Sequence, residues 1–236
     1  MTDLSAMTER WKALKHSVEQ ACAACGRDPA GVSVLPVSKT FSVEAIQQVQ
    51  ALGFTRCGEN RMQEIREKAD LMGADAPQWV VIGPVQTNKA RDVVRHAAEL
   101  HTLDRIELAE ALDRRLQTAG RTLDVLIQVK TAAEESKHGL AIDALIPFIK
   151  DIATRFKTLR VQGLMTVATQ SEDERVVRAC FKSLRDARDA ARDEGIEGMA
   201  LDRLSMGMSG DFAWAIAEGS TEIRIGSALF GGRTYP

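Results

Sequence analysis

Val34-Leu35-Pro36-Val37-Ser38-Lys39-Thr40 is a short β-branched, apolar run that stops abruptly on a Ser-Lys-Thr triplet. A lysine at the end of a buried strand is expensive to desolvate. In a parallel α/β architecture that end of the strand is where ligands bind. A desolvated lysine there loses its proton readily and serves as an amine nucleophile toward carbonyls.

Outward from this run, one pattern repeats. Strands at Val32–Val37, Phe54–Cys57, Trp79–Ile82, Leu100–Thr102, Val125–Val129, Leu159–Val161 (extending toward Met165), Met199–Leu204 and Thr221–Ile225 alternate with helical segments. The helices are expected at Val43–Leu52, Arg61–Met72, Lys89–Ala98, Ile106–Ala119, Ile142–Phe156 with an irregularity at Pro147, a long one from Ser171, and Asp211–Ala217. Gly53, Gly73, Gly120 and Gly195 close helices. Ser171-Glu172-Asp173-Glu174 reads as a capping box. Eight βα signals with no Pro/Gly/Ser linker point to a single α/β domain over residues 1–236, a (β/α)8 TIM barrel. Leu4, Met7, Trp11, Leu14, Val18, Ala21 and Cys25 mark an additional N-terminal helix. The chain leaves little for an eighth helix, and this N-terminal helix is placed to cover the gap. Pro36 removes a ladder hydrogen bond, so a local bulge is expected there.

The 236 residues are 44% hydrophobic and 27% charged with a formal net charge of −2, which argues against nucleic acid as a partner. No apolar run approaches a membrane span and no secretory signal is visible. A reducing cytoplasm is the expected compartment for the four cysteines. Cys22 and Cys25 have CxxC spacing, but no second pair completes a zinc site, and they read as helix-packing residues.

The residues after each strand are polar and converge on one rim if the barrel forms. They include Ser38-Lys39-Thr40, Gly58-Glu59-Asn60-Arg61, His101 with Asp104, and Glu134 through Gly139. His101 and His138 are candidate proton carriers on that rim. Ser205-Met206-Gly207-Met208-Ser209-Gly210-Asp211 and Gly226-Ser227 follow the last two strands, where this fold places phosphate. An imine-forming lysine facing a phosphate cradle suits pyridoxal 5′-phosphate (PLP), and equally a sugar-phosphate aldolase.

With those residues in view, the chain resembles the pyridoxal phosphate homeostasis protein family, related to the alanine racemase N-terminal domain. The blocks that carry the likeness are ACGRDP (24–29), VLPVSKT (34–40), GENRMQE (58–64), WVVIGPVQTNK (79–89), HTLDR (101–105), QVKTAAEESKHGL (128–140), QGLMT (162–166) and the run from Leu204 to Gly231. The resemblance implies an alanine racemase N-terminal-domain-like barrel with PLP at its mouth rather than an aldolase. It implies Lys39 as the Schiff-base lysine, and Ser205, Ser209, Gly226 and Ser227 as the phosphate loops. Arg224 is then the cation beside the pyridine nitrogen, and Asn60 and Met165 line the cofactor. Pro36, Cys57, Val80 and Lys130 depart from the family pattern without removing a cofactor contact.

Arg224 opposite the pyridine nitrogen makes the ring a poor electron sink. The second base of a racemase, a tyrosine from a partner's β domain, has no evident counterpart, since the only tyrosine is Tyr235. The expected role is intracellular PLP (vitamin B6) homeostasis as a carrier or buffer. Apo PLP-dependent enzymes are the expected recipients, the protein is expected to be a monomer or weak dimer, and Lys137 is a candidate transient second acceptor. A small racemase-like PLP enzyme is the alternative, and no metal is expected.

Overall fold

The computed structural model describes residues 4–132, 134 and 138–232. Eight strands alternate with helices: α1 (Leu4–Ala24), β1 (Ser33–Pro36), α2 (Val43–Ala51), β2 (Arg56–Glu59), α3 (Met62–Met72), β3 (Gln78–Val81), α4 (Ala90–His96) and β4 (Ala97–Leu103). There follow α5 (Ile106–Ala119), β5 (Leu123–Gln128), α6 (Leu145–Arg155), β6 (Leu159–Met165), α7 (Glu174–Asp193), β7 (Arg203–Ser205), α8 (Phe212–Ala217), β8 (Glu222–Ile225) and α9 (Ser227–Phe230). All strand pairs are parallel, in the order β1-β8-β7-β6-β5-β4-β3-β2. The two ends meet through a bridge between Val37 and Gly58, so the sheet closes into a (β/α)8 TIM barrel.

The strands read with period two, and the two faces bury different things. Val81, Val125, Ile127, Leu164, Ile223 and Ile225 join the helices in the outer core. Their neighbours Leu35, Val80, Leu126 and Met165 are equally buried but stand apart from that core, filling the barrel lumen.

Several boundaries differ from the sequence reading. Ala97 and Ala98 are not helical, because α4 stops at His96 and the chain turns at once into β4; alanine's helix preference yields to strand pairing. β2 runs two residues later than expected and β7 is only three residues long. The long helix is capped by Asp173, whose carboxylate accepts from the Arg175 amide, while Ser171 accepts from the Asp173 amide. Pro147 lies in the first turn of α6, where its missing N–H is harmless, and the irregularity is a 3-10 turn at Ile142–Ala144 just before it.

Pro36 needs no bulge. Ser33 and Val37 donate to β8, and β1 keeps unbroken register with it. The missing N–H of Pro36 has the parity of Ser38 and faces β2, where the first bond comes from Ser38 itself.

A short α9 does follow β8, and α1 packs against both it and α8. Arg10 donates to the carbonyls of Leu229 (2.8 Å) and Phe230 (3.4 Å). Met7, Leu14, Val18 and Cys22 form the buried face of α1, Trp11, Ala21 and Cys25 are partly buried against the core, and Leu4 is exposed.

His101 does not reach the rim. Its side chain, fully buried, lies at the opposite end of the lumen and contacts Glu99 (2.9 Å). There Arg56 and Arg203 each bridge Glu99 and Glu222 at 2.8–2.9 Å. Burial pushes the Glu99 carboxyl up, but the His101 hydrogen bond and the two guanidiniums outweigh it and hold it at about 2. A carboxyl held below its unfolded value stabilises the fold fully above about pH 4.5 and loses that contribution as pH falls toward 2. The difference is on the order of 3 kcal/mol. Glu99→Gln is therefore expected to lower urea-denaturation stability at pH 7, with the gap to the parent protein shrinking steadily between pH 5 and pH 3.

Candidate functional site

At the carboxyl end of the strands a cavity of about 370 Å³ is lined by Lys39, Asn60, Ser209, Arg224, Gly226 and Ser227, with Val37, Ile82 and Val167 as apolar wall. Six of the eight residues singled out from sequence therefore share one cavity, of the size small-molecule sites have. Met165 and Ser205 do not line it. They share a register position at the ends of β6 and β7 and are fully buried, one layer beneath.

Ser205 has a visible task there. Arg224 Nη1 donates to the Ser205 carbonyl (2.6 Å) and Oγ (3.1 Å), and Nη2 donates to the Thr166 carbonyl (2.8 Å). Burial lowers the Arg224 pKa to about 10, with Glu222 and Asp211 opposing the shift. The group is still a cation at neutral pH, fixed in orientation and exposed only toward the cavity.

In the same cavity, the β7–α8 loop and the start of α9 present hydroxyls and backbone donors. The N–H groups of Ser209, Gly210 and Ser227 make no hydrogen bond within the described residues. Gly207 holds this loop against α8. It has φ +95°, and a Cβ there would lie 2.6 Å from the Ala215 Cβ, so no other residue fits. Gly83 does the same for Asn60, whose carbonyl oxygen would stand 2.1 Å from an added Cβ.

Lys39 lines the cavity at the end of β1, and the chain around it is tied down by groups that the sequence reading did not assign. Lys68, on α3, donates to the Ser38 carbonyl (2.9 Å), to Glu59 (2.6 Å) and to Glu64 (3.2 Å). Ser38 Oγ donates to the same Glu59 oxygen at 2.7 Å. Glu64 accepts from the Thr40 amide at 2.9 Å. Thr40 has φ +68°, a left-handed backbone that costs a non-glycine residue about 1–2 kcal/mol; the charge-assisted bond to Glu64 offsets it.

Burial pushes the Glu59 carboxyl above its ordinary value against the pull of Lys68 and Ser38. For Glu64 burial also pushes up, but the Thr40 amide and Lys68 win and hold it below the usual range. The sequence did carry a signal: Met62, Ile65 and Met72 define the buried face of α3, and Lys68 sits among them.

His138 lines a neighbouring cavity of about 680 Å³ that shares Asn60 and includes Arg61, Lys89, Asp104 and Arg105. Lys137 and Tyr235 lie outside the described residues. Among the described residues no cluster of potential metal ligands occurs, and no helix is long and apolar enough to cross a membrane.

Residues 3–234 match the family model described as alanine racemase, N-terminal domain. The pyridoxal phosphate homeostasis protein of Pseudomonas aeruginosa is 37% identical over 234 residues, 98% of each chain. This chain belongs to the pyridoxal phosphate homeostasis protein family. Its Escherichia coli K12 member is 36% identical over 94% of each chain. Among solved structures, PipY of Synechococcus elongatus with PLP bound superposes with a TM-score of 0.79 at 31% identity, covering 91% of this chain and 99% of that one. Alanine racemase from Clostridium difficile shares the fold at 12% identity, with a TM-score of 0.73 over 94% of this chain and 57% of that one.

Removing the amine of Lys68 strands Glu59 as a buried, unpaired charge. Lys68→Ala is expected to lower stability by about 3–5 kcal/mol, read from urea denaturation monitored by circular dichroism.

Proposed function

We propose that this protein binds pyridoxal 5′-phosphate as a Schiff base on Lys39 and serves in intracellular PLP (vitamin B6) homeostasis as a carrier or buffer. The observation that carries this reading is one cavity lined both by Lys39 and by Ser209, Gly210 and Ser227, whose backbone N–H groups have no partner among the described residues. The residues fit the group. An amine, backbone N–H donors with two serine hydroxyls for a phosphate, and apolar lining from Val37, Ile82 and Val167 suit an aromatic aldehyde phosphate.

In this reading Lys39 Nζ condenses with the aldehyde carbon, one water leaving as the imine forms, and the bond reverses by the same route. Ser209 and Ser227 hold the phosphate, Gly226 lets backbone approach it, and Asn60 flanks the ring. Met165 and Ser205 support the site from beneath, Ser205 by aiming Arg224. A fixed cation beside the ring nitrogen disfavours its protonation. The residues thus favour holding the cofactor over stabilising negative charge at an amino-acid α-carbon.

Relatives at 34–38% identity bear the name pyridoxal phosphate homeostasis protein, which supports the assignment of role. We extend it to a single-domain cytoplasmic protein, monomeric or weakly dimeric, with apo PLP-dependent enzymes as recipients. The competing reading is a racemase-like enzyme on the same fold.

Titrating the apo-protein with PLP is expected to give a visible imine absorbance that Lys39→Ala lacks. With single L-amino acids in deuterated water, little or no α-hydrogen exchange is expected. Sustained Lys39-dependent exchange would replace the carrier reading by the enzyme one.

A further inference from the structure

Lys39 hangs between two backbone groups that one helix holds. On its amino side the Ser38 carbonyl accepts from Lys68 Nζ at 2.9 Å. On its carboxyl side the Thr40 amide donates to Glu64 Oε2 at 2.9 Å. Glu64 and Lys68 are one turn apart on α3 and also pair with each other at 3.2 Å. We propose that Glu64 and Lys68 are positioning residues for Lys39: by gripping the peptide groups on both its flanks they fix its Cα–Cβ direction. The amine then meets an aldehyde in the cavity from one side only. The inference rests on the reading of Lys39 as the imine-forming amine.

The arrangement is more than a staple between β1 and α3. Leucine or methionine at position 68 would suit the apolar face shared by Met62, Ile65 and Met72. A buried lysine there is retained against its desolvation penalty, and its donors go to the residue before Lys39 and to the carboxylate that binds Ser38 Oγ. Thr40, whose own amide donates to Glu64, is left-handed, so the disfavoured backbone lies directly beside the reactive side chain, where strain serves pre-organisation. α3 also follows β2 with only Asn60 and Arg61 between. The element that orients Lys39 therefore also follows closely on Asn60, which lines the same cavity.

Glu64 is the position to change, because it is partly exposed and its loss leaves the Lys68–Glu59 pair intact. Three proteins are compared: the parent, Glu64→Ala, and Glu64→Gln, whose amide oxygen still accepts from the Thr40 amide. Two ligands separate positioning from cavity integrity. PLP reports the rate of imine formation by stopped-flow absorbance, and pyridoxine 5′-phosphate, which has an alcohol in place of the aldehyde, reports the cavity alone by calorimetry.

Glu64→Ala is expected to form the imine about tenfold more slowly or worse, since small misplacements of a reacting group are costly. Its affinity for pyridoxine 5′-phosphate and its far-ultraviolet circular dichroism are expected to match the parent within about twofold, and Glu64→Gln to restore most of the rate. Parent-like imine formation in Glu64→Ala overturns the inference alone. So does a parallel fall in pyridoxine 5′-phosphate affinity, which is the mark of a merely structural role. A parent protein that forms no imine overturns the cofactor reading, and this inference with it.

Discussion

The barrel closes at one narrow seam, and a buried ion pair stands behind it. Between β1 and β2 the ladder is reduced to the Val37–Gly58 bridge and a Ser38 amide donating to the Gly58 carbonyl at 3.0 Å. Gly58 leaves room for this, since a Cβ there would already press on Leu35 and Ile82 at 3.3 Å. Lys68 and Glu59 brace the seam from the helix side at 2.6 Å. Both groups are almost wholly shielded from water, so their attraction is strong and the loss of either is severe. Lys39 follows β1, so this narrow junction lies beside the residue proposed to carry the cofactor.

The lumen is electrostatically divided. At its floor Arg56 and Arg203 pair with Glu99 and Glu222, so two positive and two negative charges offset each other there. At the mouth Arg224 is held by carbonyls and a hydroxyl rather than by a carboxylate, so its positive charge remains available to the cavity. Glu222 and Arg224 are two residues apart on the same inward face of β8, and a single strand thereby serves both ends. Close to the mouth, α1 reaches around the barrel, and Arg10 ties down the carbonyls of Leu229 and Phe230. Phe41 stacks on Phe230 with ring centroids 4.6 Å apart, joining the loop after Lys39 to the helix that begins at Ser227. The two halves of the site are therefore linked mechanically as well as across the cavity.

Much of this was legible in the sequence, because it rests on local rules. Alternating apolar runs and helix-ending glycines specify the βα repeat. Strand ends in a parallel barrel must converge, which brings Lys39, Asn60, Ser209, Arg224, Gly226 and Ser227 together. What could not be read depends on which way a side chain points within the lumen. His101 opens the HTLDR block, which looks like rim chemistry, yet the pleat sends it inward and toward the floor. Ser205 has the composition of a phosphate ligand, but its parity on β7 hides it beneath Arg224. Lys68 lies among the apolar residues of α3, but its partners Ser38 and Glu59 come from β1 and β2 and are set only by tertiary packing. Thr40 gave no sign of its left-handed backbone, which a turn closed by the Phe41 amide on the Ser38 carbonyl and the contact with Glu64 sustain together.

The central claim is that one lysine at the seam carries the cofactor. The most direct test is to load the protein with PLP, reduce it with borohydride, and map the modified peptide by mass spectrometry. The account predicts a single major adduct on Lys39, absent from protein treated without PLP. An adduct found chiefly on another lysine, or none at all, would contradict it.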